Sequence, residues 1–156
     1  MSDTSTATIR PAVEDDVPAI VALLADDALG ATRETPGDLA PYRAAFRAMA
    51  ASPDQLLVVA EAAGRVVGTL QLTVIAGLSL TATTRAQIEA VRVHADMRGT
   101  GLGARLVRWA IDEAARRGCG LVQLTSNASR ADAHRFYQRL GFAPTHVGFK
   151  LRIDRG

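Results

Sequence analysis

Cysteine occurs once in this chain, at Cys119, which excludes an internal disulfide and a thiolate metal cluster. Lysine also occurs once, at Lys150, so nearly all of the basic charge is arginine. Aromatic residues make up 4% of the 156 positions, and the arginines are spread along the whole length. A nucleic-acid binder gathers its cations on one face with aromatics between them, so no nucleic-acid partner is expected. No apolar run approaches the ~20 residues of a membrane span, and no membrane partner is expected. The opening residues, Met1 to Thr8, are small and polar, unlike a secretory leader. His, Asp, Glu and Cys nowhere fall at metal-ligand spacing, so no metal is expected. These absences leave a cytoplasmic globular chain, 48% hydrophobic with a net charge of +2. The length suits one domain. We expect a flexible N-terminal tail over residues 1–8 and a single domain over 9–156.

Hydrophobic period organises the rest. Ile9 to Val13 reads as a short strand. Asp15 or Asp16 can cap a first helix, with Pro18 in its opening turn. Val17, Ile20, Val21, Leu24 and Ala28 form its buried stripe, and Gly30 ends it. Residues 31–40 read as a loop. Tyr42, Ala45, Phe46 and Met49 make a second helix. Leu56 to Ala60 and Val66 to Val74 are strands joined by a hairpin turn at Ala63-Gly64-Arg65. Ile88 to Val93 is another strand with two distinct faces. Leu102 to Arg117 is the strongest helix, with Leu102, Leu106, Val107, Ala110, Ile111 and Ala114 on one arc. Leu121 to Thr125 is a strand, about Arg130 to Leu140 a last helix, and Phe142 with Val147 to Ile153 late strand material. The order predicts an α/β (α+β, three-layer) fold, a mixed central sheet of about six to seven strands flanked by about four helices.

The segment with chemistry in it is Val91 to Gly103, VRVHADMRGTGLG. A strand end, a glycine-rich turn and an immediate helix start aim several backbone N–H groups at one point, at the positive end of the helix dipole. Arg98 adds a fixed cation there. The arrangement reads as a phosphate or diphosphate cradle; the plainer alternative is a tight turn. A P-loop would need Lys-Ser/Thr after the last glycine, where Ala104-Arg105 stand. A dinucleotide fingerprint would need different glycine spacing in the first βα unit.

Arg98-x-x-Gly101-x-Gly103 after Val-x-Val-His, with Ala133 to Phe142 (AHRFYQRLGF) about 30 residues later, resembles the GNAT (Gcn5-related N-acetyltransferase) superfamily. The match covers about Glu89 to Phe142; the first half agrees in element order. The resemblance implies a GNAT-like fold, acetyl-CoA as co-substrate and a primary amine as acceptor. It implies that backbone N–H groups of Arg98, Gly99, Thr100, Gly101, Leu102 and Gly103 bind the CoA pyrophosphate. It places Val91 and Val93 along the pantetheine arm and thioester carbonyl. It puts Asn127 against the pantetheine, with Ala133, His134 and Phe136 along the CoA. Tyr137 matches the tyrosine that protonates the departing thiolate.

Transfer to an amine needs a base, a polarised carbonyl and a proton for sulfur. Glu89 is the candidate base; by strict alternation it shares a strand face with Val91 and Val93. The plainer readings are a solvated strand residue for Glu89 and a core ring for Tyr137. His94 reads as a capping residue, His146 as an ordinary turn residue and Cys119 as a small core residue. The function expected is an acetyl-CoA-dependent N-acetyltransferase acting on a small-molecule amine by direct transfer. A non-catalytic acyl-CoA-binding module on the same fold is the alternative. The late strand can also pair across a two-fold, making a homodimer.

Overall fold

The computed structural model describes residues 7–156. Of the expected tail, residues 1–6 lie outside the described residues; Ala7 is buried and Thr8 opens the first strand. The chain divides into two compact units between Gln123 and Leu124.

The first unit begins with β1 (Thr8–Pro11), α1 (Val17–Ala25), α2 (Gly30–Arg33) and α3 (Ala40–Ala50). β2 (Gln55–Ala62) and β3 (Arg65–Ile75) follow, then a single turn, α4 (Ser79–Ala82), β4 (Arg85–Val93) and α5 (Leu102–Arg116). The division falls within β5 (Leu121–Leu124), and α6 (Ala131–Arg139) belongs to the second unit. The strands form one sheet in the order β1-β2-β3-β4-β5, antiparallel from β1 to β4. β2 and β3 are joined by the expected hairpin, in which Ala63 (φ 50°) and Gly64 (φ 73°) are both left-handed, as a two-residue turn of matching twist requires.

Both sheet faces are covered. Gly68, Leu70 and Leu72 of β3 share one face; a Cβ on Gly68 would lie 3.1 Å from Leu106 of α5, so α5 packs there. Val67 and Thr69, 2% and 1% exposed, point to the opposite face, the side of α1 and α3. Leu102, Leu106 and Val107 are all but fully buried; their burial contributes about 5–9 kcal/mol before conformational entropy is set against it. Arg105, Arg108, Asp112 and Arg116 face water, as the period predicts.

Two buried carboxylates are held by arginines. Asp16 accepts from Arg10 Nη1 and Nη2 at 2.8 and 3.0 Å and from the Val13 backbone N–H at 2.8 Å. Its carboxyl is held below the ordinary range, chiefly by the Arg10 hydrogen bonds against the cost of burial. Asp16 thus reaches back to Val13 instead of capping α1 with its side chain. Glu113 is lowered in the same way, first by Arg117 at 2.9 Å and then by Arg116.

The element count among the described residues departs from expectation: five strands and six helices, two of them single turns. α1 stops at Ala25, and Asp27 Oδ1 accepts from Gly30 N–H to start α2, inside the expected loop. Gly30 is needed because its backbone passes Leu24; a Cβ would fall 1.9 Å from the Leu24 carbonyl oxygen. The expected late strand does not form: residues 143–156 hold no strand pairing. Val147, Phe149, Leu151 and Ile153 there are 77, 93, 91 and 83% exposed. Cys119 is half-buried. No helix among the described residues is long and apolar enough to cross a membrane.

Candidate active site

β4 builds one half of the site. Its register with β3 pairs Gln71 with Glu89 and then Thr69 with Arg92, so β4 carries one extra residue. Ala90, at φ 52°, is the left-handed residue that makes this bulge. The bulge corrects the expected face of Glu89. Arg85, Gln87, Glu89 and Arg92 share the face of Thr69, Gln71 and Thr73, while Val91 and Val93 turn to the face of Gly68 and α5. Strict alternation fails because period two does not survive an inserted residue.

The polar face is tied across strands. Gln123 Nε2 on β5 donates to Gln87 Oε1 at 2.9 Å, and Gln87 Nε2 donates to Glu89 Oε1 at 2.6 Å. Glu89 itself is exposed. Arg92 ion-pairs with Asp27 at 3.4 Å, just beyond α1.

The chain leaves β4 through His94, whose Nδ1 accepts from the Asp96 N–H at 3.1 Å and caps a short turn, the role expected of it. Met97 is buried beneath the turn. Gly99 (φ 78°) and Gly101 (φ 84°) are both left-handed, and a Cβ on either would meet no protein atom within 4 Å. These glycines therefore answer to backbone conformation, and the space over them is open to a ligand. The turn does not offer every N–H equally: Arg98 N–H donates to Ala95 O and Thr100 N–H to Met97 O, both at 3.3 Å. Leu102 and Gly103, in the first turn of α5, have no intrahelical acceptor. The Arg98 side chain is exposed, 3.9 Å from Asp26. An open cleft of about 480 Å³ lies alongside, lined by Ala19, Ala22, Asp26, Arg65 and His94.

The second unit carries the remaining candidates. Asn127 Oδ1 accepts from the Ser129 N–H at 3.0 Å and hydroxyl at 2.7 Å, a tight turn before α6. The Asn127 carbonyl takes the Arg130 N–H and His134 Nε2, each at 2.9 Å, so His134 ties α6 to that turn. Tyr137 is half-buried between Phe136 and Phe142, edge-on to both at 5.0 and 5.9 Å between centroids. Ala133 is half-buried on the same helix, and Gly141 (φ 99°) ends it. His146 bonds Thr145 Oγ1 at 2.6 Å. Among the described residues no cluster of His, Cys, Asp and Glu could hold a metal ion. Arg85, which closes the 76–85 segment that the family resemblance assigns to acceptor recognition, lies on the same face as Glu89.

The bulged strand, the open glycine turn at its end and the helix that starts at once all stand together in the first unit. Residues 19–142 match the Acetyltransferase (GNAT) family, and the chain belongs to it. An aminoalkylphosphonate N-acetyltransferase of Salmonella typhimurium is 31% identical over 141 residues, covering 90% of this chain and 88% of that protein. An L-methionine sulfoximine/L-methionine sulfone acetyltransferase of Pseudomonas paraeruginosa is 34% identical, over 87% of this chain and 80% of its own. A solved structure described as a transcriptional regulator from Bacillus halodurans C-125 superposes with a TM-score of 0.92 at 42% identity, covering 95% of this chain and 100% of that one.

Proposed function

We propose that this protein transfers the acetyl group of acetyl-CoA directly to the primary amine of a small molecule. The observation that carries the reading is the Gly99–Gly101 turn at the start of α5, open above both glycines and directly downstream of a bulged strand. Backbone N–H groups of Gly99, Gly101, Leu102 and Gly103 hold the pyrophosphate, with Arg98 adding charge. The backbone at Val91 and Val93 lies along the pantetheine, and the thioester carbonyl is polarised by an N–H that the bulge releases from the ladder. The family resemblance alone assigns Asn127, Ala133, His134 and Phe136, in the second unit, to CoA binding.

Glu89 takes a proton from the acceptor ammonium, directly or through water. The free amine attacks the thioester carbon, and the carbon–sulfur bond breaks as the tetrahedral intermediate collapses. Tyr137 gives the departing sulfur its proton, and the second proton lost by the attacking nitrogen returns to the tyrosine through water. The names of the two relatives, one taking aminoalkylphosphonates and the other amino-acid sulfoximines and sulfones, support a small acceptor. The four exposed side chains from Val147 to Ile153 support a homodimer in which they are covered.

The test is release of CoA thiol across a panel of small amines, with and without Glu89→Gln. The parent should turn over at least one amine, and the variant should lose ~10²–10⁴-fold in rate, the contribution of one general base. Acetyl-CoA binding without transfer to any amine would replace the enzyme with an acyl-CoA-binding module.

A further inference from the structure

We propose that Arg85 anchors an anionic group of the acceptor, so that the substrate class is amines carrying a carboxylate, phosphonate or similar group. The inference rests on the acetyltransferase reading and adds the acceptor's second recognition point. Arg85 is half-buried at the start of β4, and its Nε is shielded from water with no hydrogen-bond partner among the described residues. The other half-buried arginines are engaged: Arg10 with Asp16 and Glu61, Arg43 with the Glu14 carbonyl, Arg92 with Asp27. The partnerless arginines elsewhere are exposed. A guanidinium drawn partly out of water without a counter-ion is costly, and a ligand anion removes that cost.

The placement fits the acceptor side. Arg85 shares its face with Glu89, four residues and ~13 Å away along the strand. It lies eight residues before Val93, so it is remote from the glycine turn that takes the donor's phosphates. Gln87 stands between Arg85 and Glu89 but is bonded to Glu89 and Gln123, leaving Arg85 uncontested. Arg85 Nη1 lies 3.9 Å from the point where Gly77 would carry a Cβ, so the loop passing over it presents no side chain there. The acceptor's carbon chain and the long arginine side chain together span the gap between an amine at Glu89 and an anion at Arg85.

Two measurements on the full chain test this. In steady-state transfer, anionic amines should be preferred over their uncharged amide or ester counterparts. Arg85→Met should cut that preference by roughly 10–100-fold, as loss of a charge-assisted hydrogen bond implies. The loss should lie in KM for the acceptor, with KM for acetyl-CoA unmoved, and Arg85→Lys should restore part of it. In calorimetry, CoA-loaded protein should bind ethylphosphonate, which has no amine to acetylate, and Arg85→Met should abolish that binding. Binding of ethylphosphonate by the parent alone, with no transfer to any amine, would keep the anion site and remove the enzyme reading. Equal use of anionic and neutral amines, or ethylphosphonate binding that Arg85→Met leaves intact, would overturn the proposal.

Discussion

Gly101→Ala separates the two demands on the turn, conformation and ligand access. Gly101 sits at φ 84° with nothing within 4 Å of the point where a Cβ would stand, so no protein atom resists a side chain there. The folding cost is therefore only that of holding an L-residue left-handed, about 1–2 kcal/mol, or a fall in Tm of roughly 2–8 °C for a domain of this size. Gly118 supplies the matched control. It ends the same helix at φ 77°, again with nothing within 4 Å, and α5 sets it ~25 Å from Gly101. Gly118→Ala should lose a similar amount of stability. The two should part on adding acetyl-CoA. A ligand at a hundred times its Kd stabilises the fold by about 2.7 kcal/mol, roughly 5–10 °C here. Gly118→Ala should keep that shift. Gly101→Ala should lose most of it, because its methyl stands where the diphosphate approaches the backbone. Thermal unfolding with and without acetyl-CoA reads all four values. A full ligand-induced shift in Gly101→Ala would place the cradle elsewhere, and an equal loss in Gly118→Ala would show that the effect is general to the helix.

Tyr137→Phe keeps the ring between Phe136 and Phe142, so acetyl-CoA binding should hold while kcat falls ~10²–10⁴-fold; an unchanged kcat would make Tyr137 a packing residue. Asp16 and Glu113 both have folded-state values below the ordinary range, so their stabilisation is full above the unfolded value near 4 and is lost as pH falls through the folded values. Denaturant unfolding should therefore weaken steadily below about pH 4, and Asp16→Asn should flatten part of that slope at a cost of about 2–3 kcal/mol at neutral pH. An unaltered slope would refute the coupling to Arg10. Covering Val147, Phe149, Leu151 and Ile153 in two copies would remove on the order of 1,000 Å² from water before the surfaces opposite are counted, enough for a stable dimer. Light scattering should give twice the chain mass at micromolar concentration, with Phe149→Asp shifting it toward one; a monomeric parent ends the proposal.

The legible parts of the fold are those in which one local rule decides. α5 is readable because Leu102, Leu106, Val107, Ala110 and Ala114 obey one period over four turns, and all five are buried. Gly64, Gly101, Gly118 and Gly141 mark left-handed positions that other residues disfavour, and all four take them. What is not legible lies where tertiary contact overrides a local signal. The apolar stripe of the first helix runs on to Ala28, but Asp27 bonds Gly30 and breaks the helix in two. The alternating pattern from Val147 to Ile153 looks like a strand and forms none, because a strand needs a partner as well as a pattern. The turn itself is readable from its glycines, but its use of the Arg98 and Thr100 N–H groups is not. Arg85 carries no signal of its own, because its lack of a partner is a property of the folded surroundings, invisible in the residue itself.

The bulge at Ala90 has no such marker either, since alanine seldom signals a left-handed residue, yet it sets the chemistry of β4. Without the extra residue, pairing Arg92 with Thr69 and continuing in register would set Glu89 opposite Leu72. Leu72 is fully buried, on the face where Leu106 packs beneath Gly68. Glu89, Gln87 and Arg85 would then all point into the apolar packing under α5, and Ile88 and Ala86 would face the polar row, an exchange that the apolar packing does not tolerate. One inserted residue lets β4 put Ala86, Ile88, Val91 and Val93 toward the core while Arg85, Gln87, Glu89 and Arg92 stay on the other side. A bulge leaves its extra residue outside the ladder, and on the proposed mechanism the acyl carbonyl is held there. On the proposed mechanism, the fold's continuity and the reaction depend on the same irregularity.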